Sequence, residues 1–407
     1  METVTVLGAG YVGLTTAACL AHLGHRVHAI DADAARVHRL QAGEIDLLEP
    51  ELSEMVRAHQ QTGHLSFSTD PGSWIGVSDA VFLCLPTPAC VDGSADLAAV
   101  RSWLPHLRRH LPPGRRIILK STVPPGTQRQ LATILARPDI AIISNPEFLR
   151  EGHAIHDWLN PDRIIIGADE PESTRYLSSL YANLDAPVVE TDPTSAELIK
   201  YAANTFLALK ITYANTLAEL CEHIGANITD VRTGIGHDPR IGNAYLDAGP
   251  GWGGPCLPKD VHALISTGAR TPAELGLIHS IIEANAHHQR RVVTLLEQLL
   301  PRPLAGARVA LLGLTFKAAT NDLRDSPALH IGRRLAACRV HVTAYDPAIN
   351  ASATPELDQL TLTATAAVAI ADADAVLVLT EWPEFATLPW NNLAHDMRGD
   401  IVLDTRG

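Results

Sequence analysis

Val4-Thr5-Val6-Leu7-Gly8-Ala9-Gly10-Tyr11-Val12-Gly13 takes the chain from a short apolar strand straight into a glycine-rich turn. An apolar helical run follows to about Leu23, Gly24 stops it, and a second strand over Arg26–Ile30 ends at Asp31. Strand, G-x-G-x-x-G turn, helix, strand and acidic residue stand in the order of a dinucleotide-binding unit. The glycines allow the tight turn and the close approach of a pyrophosphate to the helix N-terminus. Asp31 is placed to accept from the adenosine ribose hydroxyls, which favours NAD over NADP. Arg36 would suit a 2′-phosphate, but Asp31 and Asp33 together oppose one.

The alternation continues with strands over Ala80–Leu85, Arg116–Lys120 and Ile140–Ser144, and helices over Asp96–Leu111 and Thr127–Ala136. It predicts an α/β fold with a parallel, doubly wound sheet and ligands at the carboxyl ends of the strands. Three loops fall at such ends, Cys84–Pro88, Ser121–Thr127 and Asn145–Gly152, and bring hydroxyls and carboxylates there. A strand pair, Arg163–Gly167 and Val188–Glu190, finishes this domain. A long helix then starts after Asp192-Pro193, with Thr194 or Ser195 expected as its cap and Glu197 in its first turn. It runs to about Ile224, where Gly225 stops it, and such a helix can bridge domains and present a dimer face.

Helices continue to about Leu299, and Pro301–Gly306 reads as a linker. A second α/β unit follows, with strands over Arg308–Gly313, Arg339–Tyr345, Ala375–Thr380 and Ile401–Asp404 and a helix over Ser326–Ala337. It lacks G-x-G-x-x-G. Its loop Leu314–Ser326 sets Lys317 and Arg324 at a strand mouth, a placement suited to phosphate.

Bulk properties narrow the function classes. The chain has 407 residues and a formal charge of −13, and 46% of it is apolar. Two or more domains are expected. The negative balance speaks against nucleic acid or an anionic membrane as the main partner. The six cysteines are scattered with no Cys-x-x-Cys, which is the usage of a reduced, cytoplasmic protein. No signal sequence or membrane span is expected. The nineteen histidines form no ligand pattern, so no metal site is expected.

One cysteine stands apart, in Gly249-Pro250-Gly251-Trp252-Gly253-Gly254-Pro255-Cys256-Leu257-Pro258-Lys259-Asp260. Pro258 fits the first position of a helix. Cys256 would then lie just before a helix N-terminus, where the dipole favours the thiolate. The same residues also describe an inert glycine-rich turn with a buried thiol. Lys200 and Asn204 lie four apart and share one face of the long helix, as a functional pair or as an ordinary solvated edge.

Taken in order, Gly8–Gly13, Ser121–Thr127, Asn145–Gly152, Lys200/Asn204, Gly253–Asp260 and Leu312–Ser326 resemble the UDP-glucose/GDP-mannose dehydrogenase family over nearly the whole chain. The resemblance implies a Rossmann NAD-binding domain over 1–192, a central helical dimerisation region with the catalytic cysteine over 193–300, and a Rossmann-like nucleotide-sugar-binding domain over 301–407. It implies oxidation of a sugar C6 alcohol to a carboxylate with NAD, through a thiohemiacetal and a thioester on Cys256. Glu147 would serve thioester hydrolysis with Thr122 holding the water, and Lys200, Asn204 and Asp260 would handle the alcohol proton and oxyanions. Cofactor contacts would come from Gly8, Gly10, Tyr11, Val12, Gly13, Asp31, Arg36, Thr87, Thr122, Glu151, Lys259 and Arg324. Substrate contacts would come from Glu147, Phe148, Leu149, Lys200, Asn204, Arg240, Tyr245, Gly253, Lys317 and Arg406. A homodimer is implied, with Arg240 reaching the neighbouring subunit's site.

Arg240-Ile241-Gly242-Asn243 and Pro161-Asp162-Arg163-Ile164 resemble the UDP-glucose branch. GDP-mannose or a modified UDP-sugar is the alternative substrate. Pro255 replaces a common serine and Pro86 a usual glycine, and each removes a backbone N–H. A two-electron hydroxyacid dehydrogenase would also use a Rossmann domain, a long helix and a Lys/Asn pair, but it would have no need of Cys256. A non-enzymatic NAD sensor would not need the reacting residues at all.

Overall fold

The computed structural model describes residues 1–349, 357 and 359–406. It forms two compact units, Met1–Ala203 with His262–Pro272, and Asn204–Val261 with Ala273–Gly407. Two of the three crossings between them fall inside helices, Pro193–Ile224 and Leu257–Gly268, and the third lies between Gly268 and Gly276.

The first unit is built on β1 (Thr3–Leu7), β2 (Arg26–Ile30), β3 (Leu65–Ser68), β4 (Ala80–Leu83), β5 (Arg116–Leu119), β6 (Ala141–Ser144), β7 (Ile164–Gly167) and β8 (Val188–Thr191). They order as β3-β2-β1-β4-β5-β6-β7-β8. Successive residues feed opposite faces of the sheet. Phe82 and Ile118 join one core with Leu14, Ala18 and Trp158. Val81, Leu83, Ile117 and Leu119 join the other with Leu104, Leu107 and Leu131. Both faces are covered, as a doubly wound sheet requires.

The expected parallel sheet is present from β3 to β6, and the closing strand pair departs from it. β6 and β7 pair antiparallel at Ser144 and Gly167, and β7 and β8 then run parallel to each other. Inward and outward alternation is identical in either strand direction, so periodicity carried no sign of this reversal. β3 carries little sequence signal, because Leu65-Ser66-Phe67-Ser68 is a short strand buried on one face only.

The long helix begins at Pro193, and the cap is Asp192 rather than Thr194 or Ser195. Its carboxylate accepts from Ser195 N at 3.1 Å and Ser195 Oγ at 2.5 Å. Proline at the first helical position leaves the preceding acid as the group facing the open N–H donors. The helix ends at Ile224, with Gly225 at φ 74°.

In the second unit the described residues form β9 (Arg308–Leu312), β10 (His341–Tyr345), β11 (Thr361–Leu362), β12 (Ala375–Val378) and β13 (Ile401–Asp404). They pair throughout in parallel, in the order β11-β10-β9-β12-β13. That repeats the β3-β2-β1-β4-β5 portion of the first sheet. No helix among the described residues is long and apolar enough to cross a membrane.

At Gly13 a Cβ would overlap the carbonyl oxygen of Gly8, so backbone would have to move. Gly13→Ala is expected to lower unfolding stability by about 2 kcal/mol and to abolish NAD binding. Denaturant unfolding and calorimetry with NAD check this; an unchanged midpoint and affinity would show that the turn has slack.

Candidate active site

The turn after β1 has the form a pyrophosphate needs. Gly8 lies at φ 93° with its missing Cβ 2.5 Å from the Cys84 carbonyl oxygen, while beside Gly10 an added Cβ would meet nothing within 4 Å. The helix Tyr11–His22 starts at Gly10 with no side-chain cap, leaving its first N–H groups for an anion. Asp31 accepts from Ala9 N at 2.8 Å and Asp33 N at 2.9 Å and pairs with Arg36 at 3.2 Å. Asp33 itself caps the helix Ala34–Gln41. The Arg36 guanidinium is thus engaged by Asp31, and the open Gly10 and uncapped helix fit NAD. Thr87 Oγ1 donates to the Thr122 carbonyl at 2.8 Å, tying two of the strand-end loops together. Pro86 is exposed in the same loop.

The third strand-end loop carries Glu147. Its carboxylate lies 3.1 Å from Lys200 Nζ, with both side chains buried, and accepts from Leu149 N at 2.6 Å. Phe148 is flanked by cations, with Arg163 Cζ 3.8 Å and Lys200 Nζ 5.3 Å from its ring centre. Burial alone would raise the Glu147 pKa; the Lys200 ammonium, the Leu149 N–H and Lys120 outweigh it and hold the carboxyl below its ordinary range. A narrow crevice lined by Ser121, Thr122, Ser144, Pro146, Glu197 and Lys200 opens beside the pair.

Two neighbours escaped the sequence reading. Lys120 is buried, donates to Asn145 Oδ1 at 3.0 Å and is pulled down to about 8, first by burial. Tyr181 donates to the same oxygen at 2.7 Å. A lysine closing an apolar strand was the available signal. Glu197, expected in its own helix's first turn, instead accepts from Gly126 N at 2.6 Å, Thr127 N at 3.2 Å and Gln128 N at 2.8 Å. It caps a different helix, Thr127–Leu135, because Asp192 already serves its own. Tyr201 and Thr205 lie off the Lys200/Asn204 face, and all four side chains are buried, so the solvated-edge alternative falls.

In the second unit, Cys256 is exposed and immediately precedes the helix Leu257–Gly268, where Asp260 N donates to its carbonyl at 2.9 Å. Pro258 therefore occupies the second helical position, not the first. Asp260 is buried; its carboxylate accepts from Asn204 Nδ2 at 2.6 Å and lies 2.5 Å from Lys259 Nζ. All six cysteines are described, and none forms a disulfide.

The approach to Cys256 is held from behind. Gly249 N donates to Asn215 Oδ1 at 2.9 Å, and the Gly249 carbonyl accepts from His288 Nε2 at 2.7 Å. Asn285 exchanges two bonds of 2.9 Å with the Trp252 backbone, and the Trp252 indole donates to Thr212 at 2.9 Å. Gly253 has no room for a Cβ against the Asp325 carbonyl, and a Cβ at Gly254 would lie 2.7 Å from the Phe316 ring. Pro255 is half-buried between Gly254 and Cys256, and nothing in the structure explains a proline at that position.

The remaining expected contacts in this unit are dispersed. Lys317 Nζ is 5.8 Å from the Phe316 ring centre. Arg324 pairs with Asp322. Arg406 donates to the Leu379 carbonyl at 3.0 Å, pairs with Glu381 at 3.1 Å and packs on Gly249. Tyr245 takes left-handed backbone at φ 63°. Arg240 is exposed and held by Asp238 at 2.6 Å.

Lys200→Met should leave Glu147 buried without its main counter-charge, costing about 3 kcal/mol at pH 7. The wild-type carboxyl is depressed, so its contribution is present above the ordinary carboxylate range and lost as pH falls through the folded value. In the variant the carboxyl prefers to be protonated. The stability gap between the two proteins should therefore shrink on acidification, as read by thermal unfolding from pH 7 to pH 4. A pH-independent gap would contradict an ionic pair.

Family models describe the same chain in three successive segments. The UDP-glucose/GDP-mannose dehydrogenase family matches with its NAD binding domain over residues 2–185, its central domain over 194–287 and its UDP binding domain over 310–407. A UDP-glucose 6-dehydrogenase of Rhizobium meliloti (strain 1021) is 38% identical over 414 residues, spanning 99% of this chain and 94% of that one. The UDP-glucose 6-dehydrogenase TuaD of Bacillus subtilis (strain 168) is 37% identical over 412 residues, spanning 100% and 89%. The solved structure of a UDP-glucose dehydrogenase from the hyperthermophilic archaeon Pyrobaculum islandicum is 36% identical with a TM-score of 0.94, covering 100% of this chain and 94% of that one. The chain belongs to the UDP-glucose/GDP-mannose dehydrogenase family.

Proposed function

We propose that this protein oxidises UDP-glucose to UDP-glucuronate in two successive NAD-dependent steps through covalent catalysis by Cys256. The observation that carries the reading is the Asn204–Asp260–Lys259 set, fixed in the same unit as Cys256 and leading back to it through the Asp260 N–H. A single hydride transfer would leave the cysteine without a task.

NAD, when bound at Gly8, Gly10, Tyr11, Val12, Gly13 and Asp31 with Arg36, Thr87, Thr122, Glu151, Lys259 and Arg324 contributing, accepts the hydride in each oxidation. Lys200 and the Asp260-oriented amide of Asn204 serve the alcohol proton and the negative oxygen. The Cys256 sulfur adds to the resulting aldehyde, forming a C–S bond and a thiohemiacetal. After the second oxidation a thioester links sugar and sulfur. Glu147, kept ionised beside Lys200, takes a proton from water held with Thr122. The hydroxide adds to the acyl carbon, the C–S bond breaks, and the new acid passes its proton to the Cys256 sulfur, leaving carboxylate and thiol while Glu147 returns its proton to solvent.

Phe148, Leu149, Arg240, Tyr245, Gly253, Lys317 and Arg406 are assigned to the nucleotide sugar. The three-part division at 1–192, 193–300 and 301–407 is kept in this reading, and a cytoplasmic location is supported by six thiols outside any disulfide. A homodimer is supported by Phe206, Tyr213, Leu220 and Ile224, each at least half exposed along one face of the long helix. Pro255 supports a second reading in which the sugar is a modified UDP-sugar or GDP-mannose.

Purified protein given UDP-glucose, GDP-mannose and UDP-N-acetyl sugars should form about two NADH per UDP-glucose, and Cys256→Ser should form no acid. One NADH per sugar, or acid from the variant at the wild-type rate, would sink the mechanism. Leu220→Glu should convert a dimer to monomer in sedimentation; a dimer retained by the variant would assign that apolar face elsewhere.

A further inference from the structure

Glu49 lies in the crossover between the helices Ala34–Gln41 and Leu52–Gln61 and is buried. Its carboxylate gathers three donors from remote parts of the first unit. Oε2 accepts from the Tyr11 hydroxyl and from Gly152 N at 2.8 Å, and Oε1 accepts from Ala154 N at 2.7 Å. The Tyr11 hydroxyl also lies 3.3 Å from the Arg150 carbonyl. Burial, followed by the bond to Glu49, pushes the Tyr11 phenol well above its ordinary pKa, so it remains a donor.

These bonds form an unbroken path. Tyr11 is the first residue of the helix whose uncapped N-terminus faces the open side of Gly10. Gly152 closes and Ala154 follows the loop on which Leu149 N donates to Glu147, and Glu147 pairs with Lys200. Arg150 is tied to Asp157 through its backbone at 3.0 Å and its guanidinium at 2.6 Å, which joins the two ends of the segment 150–157. A buried carboxylate with three donors is stable only while all of them stay in place. A shift of the dinucleotide turn is therefore felt at Gly152 and Ala154.

We propose that Glu49 is a positioning residue which, through Tyr11, couples occupancy of the dinucleotide turn to the setting of the Asn145–Gly152 loop and hence of Glu147. This rests on NAD binding at that turn. Reciprocity follows: ordering the loop strengthens cofactor binding by the same factor that cofactor binding orders the loop.

The test is hydrogen–deuterium exchange at the Leu149, Gly152 and Ala154 amides of the full chain, with and without NAD, alongside calorimetric NAD titration. In the wild type, NAD should slow exchange at these amides by about tenfold. Tyr11→Phe, which removes one hydroxyl, should bind NAD about tenfold more weakly and, at saturating NAD, lose that protection. Glu49→Gln should also raise exchange at Gly152 and Ala154 without NAD. If wild type binds NAD and shows no protection, or if Tyr11→Phe keeps it, the coupling is overturned. Absence of NAD binding by the wild type would overturn the cofactor reading and this inference with it.

Discussion

Buried charge has to be answered by a partner, and the helix Pro193–Ile224 buries three polar side chains within two turns. Glu197 is met by three backbone N–H groups and Ser144, Lys200 by Glu147, and Asn204 by Asp260. Rotating the helix by one residue turns it about 100° and would strand both ions. The setting of the helix and the placement of the loops after β5 and β6 are therefore determined together. Burial lifts the Glu197 carboxyl above its ordinary range, and the N–H bonds pull it back only in part. The helix is held mainly by the cost of leaving these groups unpaired rather than by helix propensity.

The chain uses one local device twice. At the end of β2, Asp31 accepts from Ala9 N in the turn after β1; at the end of β10, Asp346 accepts from Leu314 N and Thr315 N in the turn after β9. Gly8 and Gly313 both lie near φ 90°, at 93° and 92°, each hard against the neighbouring strand's end. The difference lies in what else the carboxylate meets. Asp346 also takes the Thr315 hydroxyl at 3.0 Å and the Trp382 indole at 3.2 Å, which commits it within its own sheet. Asp31 keeps company with Arg36 beside an open Gly10. Two sheets that share a five-strand order thus offer different mouths, and the first has the form of a dinucleotide cradle.

Much of the architecture could be read from the sequence because it rests on local chemistry. The glycine turn before Tyr11, the acid closing β2 and the helix stop at Gly225 follow from backbone sterics within a few residues. The Lys200/Asn204 face and the position of Cys256 before a helix follow from helical spacing and proline placement. The resemblance carried by the motifs named the family, which the full-length matches bear out.

What only the tertiary structure decided depends on residues distant in sequence. Glu197 looked like part of its own helix's start and caps another helix about 70 positions away. Glu49 stood in an unremarked crossover and joins Tyr11 to Ala154. Lys120 closed an ordinary apolar strand and lies buried with Asn145 and Tyr181. β7 reversed direction without altering its pattern of apolar residues. Local sterics and periodicity are written in neighbouring residues and so were determined by the sequence itself. Which buried polar group answers which is settled only when chain segments meet, because desolvation acts on whichever partners the fold brings together.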